Sequence, residues 1–504
     1  MQAETRHDRS GLVVLVTLAL VRVLLHTLTN GQYGFHRDEL AILDDARYLA
    51  WGYVAYPPLT PAVAHVALEL FGPSLRGLRL FGALAQGAAM VLAGLMAREL
   101  GGGRWAQAVA SVAVAIAPIS LIEGALFQYV GFDYLWWVVV AYCTIRLLRS
   151  EDPRWWLGIG AAIGIGMLTK YTMAFCVAGL AAGVLLTSAR RYLASGWLWG
   201  GALVALLIVL PNLLWQAQHG FISLEHLATI HVRDVAIGRT RGYLVEQLFV
   251  SASLVTIPLW IAGLGYCLFS RAGQRYRPVG WMYVVPFVLF LVAQGRSYYL
   301  GPAYPMLVAA GAVVGERWLG SLREARARIV RSATWVALAA GAIVGGALML
   351  PVAPVNSGLW HAASAVHDNF VEQIGWPELV DTVAAIYAAV PDEERQRTAI
   401  ITNDYGEAGA VNLYGPAAGL PTAISGVNSH WARGYGDPPP RTLIVLGFRH
   451  EIAERHFATC DLAGRLTNRY GVMNEESRDH PDIFVCRGPR RPWPELWAEL
   501  RRFS

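Results

Sequence analysis

The sequence predicts a mainly α-helical, polytopic membrane bundle followed by an exterior α/β domain. Three observations predict it. Hydrophobic residues make up 55% of the 504 and charged residues only 15%, where a soluble chain of this size carries about 25% charge. Long apolar runs recur from residue 11 to residue 351. Beyond that point the composition turns polar and rich in Pro and Gly, with no run long enough to span. These features exclude a disordered chain, a collagen-like repeat and an ordinary cytosolic enzyme. The net charge of +5 is small and scattered, which argues against nucleic acid as a partner.

A spanning helix needs ~20 largely apolar residues. Candidate spans run over 11–29, 76–97, 105–122, 132–148, 156–169, 171–187, 197–215, 246–269, 279–294, 298–315 and 332–351, eleven in all. The stretch 58–72 is a twelfth apolar segment. Pro57, Pro58 and Pro61 argue against a full span there, so it reads as re-entrant or surface-lying. With the N-terminus in the cytoplasm, the inner segments hold 17 basic residues and the short outer ones 9. That bias fits the positive-inside rule. An odd number of spans then puts the C-terminal domain outside a cell membrane. No small-residue cleavage site follows the first span, so it reads as a retained helix.

Residues 1–351 are therefore taken as the membrane domain and 352–504 as an extracytoplasmic domain. In the latter, pattern reading gives helices at 378–390, 449–458 and 494–502, and strands at 398–402, 442–447 and 482–486. Cys460 and Cys486 fall here. An exterior compartment permits a disulfide, and the sequence leaves the pair bonded or free. Cys143, Cys176 and Cys267 lie in apolar runs and read as buried thiols. No internal repeat is evident.

Ionisable groups gather at the outer ends of the spans, where charge is costly and needs a reason. The first outer loop, GFHRDELAILDDARYLAWGYVAYPPLTP, carries Asp38, Glu39, Asp44 and Asp45 with Arg37 and Arg47. Leu40, Leu43, Ala46 and Ala50 recur at helical spacing, as in an amphipathic helix lying in the interface plane. Asp44 and Asp45 then face solvent or pair with Arg37 and Arg47. Asp38 and Glu39 sit at the helix start, where the dipole favours a carboxylate and where Asp38 can also serve as a plain N-cap. Asp133 opens an apolar, aromatic span, as an N-cap or as a second acid. Lys170 is the sole lysine among 41 basic residues. It reads as a snorkelling side chain or as a partner for phosphate. Arg296, in AQGRSYYLGPAYP, is another basic position on the outer side, beside Tyr298 and Tyr299. Arg22 and His26, inside the first span, are expected to face the bundle interior. Two acids and two bases at one surface suit chemistry on a lipid-linked phosphate.

FHRDELAILDDARYLAWGYVAYPPLTP, RELGG, LTKYT and RSYYLGPAYPMLVAAG together resemble the GT-C membrane glycosyltransferases. The likeness is to bacterial members of glycosyltransferase family 39, related to protein O-mannosyltransferases and to the aminoarabinose transferases of lipid A. It runs over roughly 30–316. NDYGEAGAVNLYGPAAGLP is similar to a tail in some bacterial members, to which no role attaches. The resemblance implies a GT-C bundle of about 11–13 helices that moves a sugar from a polyprenyl-phosphate carrier to an extracytoplasmic lipid, glycan or protein. It maps the catalytic acids to Asp38, Glu39 and Asp133, and the donor-phosphate contacts to Lys170 and Arg296. Tyr53, Tyr298 and Tyr299 are the candidate substrate-contacting aromatics. The expected chemistry is one inverting displacement through an oxocarbenium-like transition state. Asp38 acts as base, or positions the acceptor if that acceptor is itself a phosphate. No His/Cys/acid cluster has metal spacing, so no catalytic metal is expected, and a divalent cation on the donor phosphate stays open. A lipid-linked-sugar transporter or flippase would favour inverted repeats and broken helices at mid-membrane. A non-catalytic scaffold with an envelope-binding exterior domain is the remaining alternative. In the exterior domain, Trp431, Tyr435 and the stretch Asn403 to Tyr405 read as glycan-contacting groups or as ordinary fold residues.

Overall fold

The computed structural model describes residues 2–504, with side chains from residue 10 onward. The N-terminal basic residues used for orientation therefore lie outside the described side chains. The chain divides into two compact units. One comprises the first thirty residues with Arg79–His219 and His231–Leu350. The other comprises Gly31–Leu78, Gly220–Ile230 and Pro351–Ser504. The boundary after Leu350 lies beside the expected one. The first outer loop and residues 220–230, however, cluster with the C-terminal segment rather than with the bundle.

In the helical unit, five helices are long and apolar enough to cross a bilayer: Ser10–Thr29, Leu75–Glu99, Tyr129–Ser150, Gly196–Gln218 and Glu324–Met349. Three further pairs pass only as bent spans. Arg104–Ala115 with Pro118–Ala125 turns by 63°, Met173–Leu186 with Ser188–Ala194 by 100°, and Tyr243–Ser251 with Leu254–Phe269 by 92°. By length and composition the described residues thus give five to eight spans rather than eleven. The difference lies in segments such as Trp155–Met167, Arg277–Val292 and Tyr304–Gly320, whose helices have 13, 16 and 17 residues. Each falls short of the ~20 residues that cross hydrocarbon unaided. Cys143, Cys176 and Cys267 are buried and free, as expected. Close approach holds the bundle together. A Cβ at Gly311 would run into the backbone of Leu259, and one at Gly263 into that of Leu307. Small residues let membrane helices meet at backbone distance in this way.

Arg22 does face the interior. Its Nη2 donates to the Ser120 carbonyl at 2.6 Å and to Ser120 Oγ at 2.9 Å. Ser120 Oγ in turn donates to Gln86 Oε1 at 2.9 Å, and Gln86 Nε2 to the Gly131 carbonyl at 2.9 Å. This chain of bonds fixes the segment leading into helix Tyr129–Ser150.

The other unit is built on a five-stranded sheet: β1 Thr398–Thr402, β2 Ile424–Ser425, β3 Thr442–Leu446, β4 Phe457–Arg465 and β5 Asp482–Pro489. The order is β2-β1-β3-β5-β4. β1 runs parallel to β2 and β3, with Ile400 opposite Ile444, while β5 is antiparallel to both β3 and β4. TAIIT and TLIVL are almost entirely buried, as parallel strands covered on both faces should be. Cys460 and Cys486 lie directly opposite across β4 and β5 and are bonded. Residues 59–71 form a helix of 13 residues, with Pro61 in its first turn where proline is tolerated.

Candidate functional site

The first outer loop does not form a surface helix. Helix Arg37–Asp45 has nine residues, and Glu39 to Asp45 are all buried. Its N-cap is His36, whose Nδ1 accepts from the Asp38 backbone N–H at 3.1 Å. The Glu39 carboxylate accepts from the His36 backbone N–H at 2.8 Å, which completes a capping box. Asp38 is therefore not the cap, and its side chain is free of that duty. Glu39 is fully buried and closes the helix start. The Asp38 side chain, 29% exposed, accepts at Oδ1 from the Tyr405 hydroxyl at 2.8 Å.

Asp44 and Asp45 also depart from expectation. Neither faces solvent, and their cation is Arg433 rather than Arg37 or Arg47. The Arg433 guanidinium bonds both carboxylates. Asn412 Nδ2 donates to Asp44 Oδ1 at 3.0 Å, and the Tyr56 hydroxyl to Asp45 Oδ2 at 2.6 Å. Burial pushes the Asp45 carboxyl up to about 6, against the pull of Arg433 and Tyr56. Tyr53 is 3% exposed, and its hydroxyl sits among the Ala50 N–H at 3.2 Å and the carbonyls of Tyr48 and Asp45 at 3.1 and 3.3 Å. These bonds lock its own loop.

In the helical unit the predicted residues converge. Asp133 lies within the first two turns of helix Tyr129–Ser150, whose N-cap is Gln128, so Asp133 is not a cap either. It is 3% exposed. Its Oδ2 accepts from Thr172 Oγ1 at 2.8 Å, and the Trp137 indole N–H one turn on interacts with the same carboxylate. Lys170 stands in the break between helices Trp155–Met167 and Met173–Leu186. Its Nζ lies 3.9 Å from the Tyr299 ring centroid, 5.2 Å from that of Tyr129 and 5.4 Å from that of Tyr298. Asp133, Arg296 and Glu123 are within its electrostatic reach. Arg296 donates from Nε to Asp234 Oδ2 at 2.6 Å and from Nη1 to the Tyr298 hydroxyl at 3.1 Å. The result is an ammonium caged by aromatic faces, with a carboxylate and a guanidinium within its electrostatic reach.

Sequence reading missed Thr172, Tyr129, Asp234 and Arg433, and took Tyr405 as a glycan contact or a fold residue. Thr172 stands inside the LTKYT stretch already singled out; Tyr129, Asp234 and Arg433 carried no local signal. Trp431 and Tyr435 belong to the fold. The indole N–H groups of Trp431 and Trp497 donate to each other's carbonyls at 2.9 and 3.0 Å, and Tyr435 stacks on Trp493 at 5.0 Å. Among the described residues no group of three His, Cys, Asp or Glu is placed to hold a metal ion.

Two comparisons decide the fold. ArnT from Cupriavidus metallidurans superposes in its apo state with a TM-score of 0.59 over 95% of this chain and 98% of that one, at 16% identity. Its form bound to undecaprenyl phosphate gives 0.53 over 94% and 97%, at 15% identity. The chain has the GT-C fold. The family model for dolichyl-phosphate-mannose-protein mannosyltransferase matches residues 55–215 of this GT-C chain. A lipid A galacturonosyltransferase of Rhizobium johnstonii is 26% identical over 303 residues, 57% of this chain and 60% of that one. An undecaprenyl phosphate-alpha-4-amino-4-deoxy-L-arabinose arabinosyl transferase of Pseudomonas fluorescens is 28% identical over 292 residues, 53% and 50%. The chain thus spans between half and two thirds of the length of these relatives. Like other GT-C proteins it is a multi-pass membrane protein.

Proposed function

We propose that this protein is a membrane glycosyltransferase that moves one sugar from a polyprenyl-phosphate carrier to an extracytoplasmic acceptor. The observation that carries the reading is Lys170. It is the chain's sole lysine, held among three tyrosine rings with Asp133 beside it. A compact ammonium with rotatable donors suits the negative charge that grows on a departing phosphate. Arg296 adds a second cation, and its present partner Asp234 would exchange for the phosphate.

In the proposed step an acceptor hydroxyl attacks the anomeric carbon, and the bond from that carbon to the phosphate oxygen breaks. Polyprenyl phosphate leaves with the electron pair, and Asp38 takes the hydroxyl proton. One displacement inverts the anomeric centre. Asp133, oriented by Thr172, holds a sugar hydroxyl. The relatives' names offer galacturonic acid and 4-amino-4-deoxy-arabinose as the first sugars to try, with lipid A as acceptor.

The test is donor consumption by purified protein in lipid nanodiscs, followed by mass spectrometry. The donors are undecaprenyl-phosphate galacturonate and undecaprenyl-phosphate aminoarabinose, each with lipid A. Wild type should consume one of them. Asp38→Asn should lower turnover by about a hundredfold or more, the scale of a lost general base, while Lys170→Ala should chiefly weaken donor use. Equal consumption by wild type and Asp38→Asn would remove Asp38 from the chemistry.

A further inference from the structure

The segment NDYGEAGAVNLYG carries no role in the assignment above, yet Tyr405, Gly406, Gly409 and Asn412 all meet the acidic loop. Resting on the reading of Asp38 as base, we propose that this segment is the positioning device for that carboxylate, with Tyr405 as the positioning residue.

The geometry builds up in three steps. Asp404 caps helix Tyr405–Tyr414, its Oδ1 accepting from the Gly406 N–H at 2.6 Å, so the helix begins at a fixed point just after β1. That helix then lies on helix Arg37–Asp45 at backbone distance. A Cβ at Gly409 would come within 2.6 Å of the Leu40 carbonyl carbon and oxygen, and one at Gly406 within 2.8 Å of Arg37 Cβ. Only glycine permits that approach. The Tyr405 ring is thereby set against the helix start, with the Arg37 guanidinium 5.9 Å from its centroid and its hydroxyl on Asp38 Oδ1.

The same segment holds the other end of the loop helix. Asn412 donates to Asp44 Oδ1 at 3.0 Å and accepts from the Ala423 N–H at 2.8 Å, while its carbonyl receives Arg47 Nη1 at 2.7 Å. A nine-residue helix alone is marginal in water. Pinned at both ends it becomes a rigid mount. Tyr405 keeps its proton, because burial and the neighbouring Asp38 push the phenol well above its ordinary value. It is therefore a permanent donor, and a hydrogen bond donated to a carboxylate favours the ionised form that a base needs.

The test compares Tyr405→Phe, Gly409→Ala, Asp38→Asn and wild type, using whichever of the two donors the wild type consumes. Tyr405→Phe removes one oxygen and keeps the ring. It should lower kcat about tenfold with KM for donor unchanged, and move the acid limb of the kcat/KM profile up by roughly half to one pH unit. Gly409→Ala leaves the hydroxyl in place but lifts the helix off Leu40, and it should reproduce the fall in kcat. A merely structural Tyr405 would change thermal stability and leave the acid limb where it was, which overturns the proposal. If Asp38→Asn is inactive while both other variants keep wild-type rates, the base reading stands and the positioning proposal falls. Activity in Asp38→Asn, or a wild type that consumes neither donor, defeats the base reading and the proposal with it.

Discussion

Arg433 carries a load that can be measured. Its side chain is 22% exposed, while those of Asp44 and Asp45 are 2% and 6%. Removing one partner of a buried ion pair typically costs about 3–5 kcal/mol, because the remaining charge is left unpaired. Arg433→Met would strand two carboxylates at once. Each keeps help from neighbours, Asp44 from Asn412 and Asp45 from Tyr56. The lower end, about 3 kcal/mol at pH 7.5, is therefore expected. The loss should depend on pH. Asp45 already has a folded-state value near 6, above its ordinary one, and losing Arg433 raises it further. Such a group binds its proton more tightly folded than unfolded, so it favours the folded state more as pH falls. The gap between variant and wild type should narrow as pH drops from about 8 to about 6, then level off once wild-type Asp45 is itself protonated. Denaturant unfolding followed by tryptophan fluorescence reads this directly, and adding Asp45→Asn to Arg433→Met should recover part of the loss. A cost under about 1 kcal/mol, or a gap that does not change with pH, would refute the reasoning.

Two further outcomes follow from the same unit. Glu407 is fully buried, and burial with nearby Asp404 pushes its carboxyl up to about 8, against the pull of the backbone at Asn403 and Asp404. Its folded-state value is raised, so wild type should lose stability as pH climbs from about 4.5 to 8. Glu407→Gln should remove that residue's share of the slope, being more stable than wild type by roughly 4 kcal/mol at pH 8 and by under about 1 kcal/mol at pH 5; parallel pH–stability curves would count against it. Breaking the Cys460–Cys486 bond by Cys460→Ala with Cys486→Ala should cost about 2–4 kcal/mol, with hydrogen exchange rising first in β4; unchanged exchange there would show that strand pairing alone holds the edge.

The sequence made some elements plain and hid others for physical reasons. β1 and β3 were legible because TAIIT and TLIVL are short β-branched runs buried on both faces. β4 was read in part as helix because FATCDLAGR is mostly exposed and polar. It is a strand only through pairing with β5 and the disulfide, and neither shows in local pattern. Lys170 stood out by composition and Asp133 by contrast with an apolar span. Their cage of Tyr129, Tyr298 and Tyr299 did not, since it draws on segments some 170 residues apart. The acids at 44 and 45 were misread because Arg433, their counter-ion, lies nearly 390 residues downstream. Hydropathy marks apolar length but not where a helix bends or stops, so the breaks at 116–117 and 252–253 left no mark in the pattern.

One lysine among forty-one basic residues also makes Lys170 a chemical address. An amine-selective acylating reagent has no other side chain in this protein to modify. A mass tag mapped to Lys170, and so told apart from one on the α-amino terminus, would therefore report on one ammonium, and its rate across pH would titrate that ammonium inside the intact bilayer-embedded protein. A bound lipid phosphate seated on the nitrogen would shield it. The extent of labelling would then serve as an occupancy gauge that needs no sugar transfer, no radiolabel and no knowledge of the acceptor.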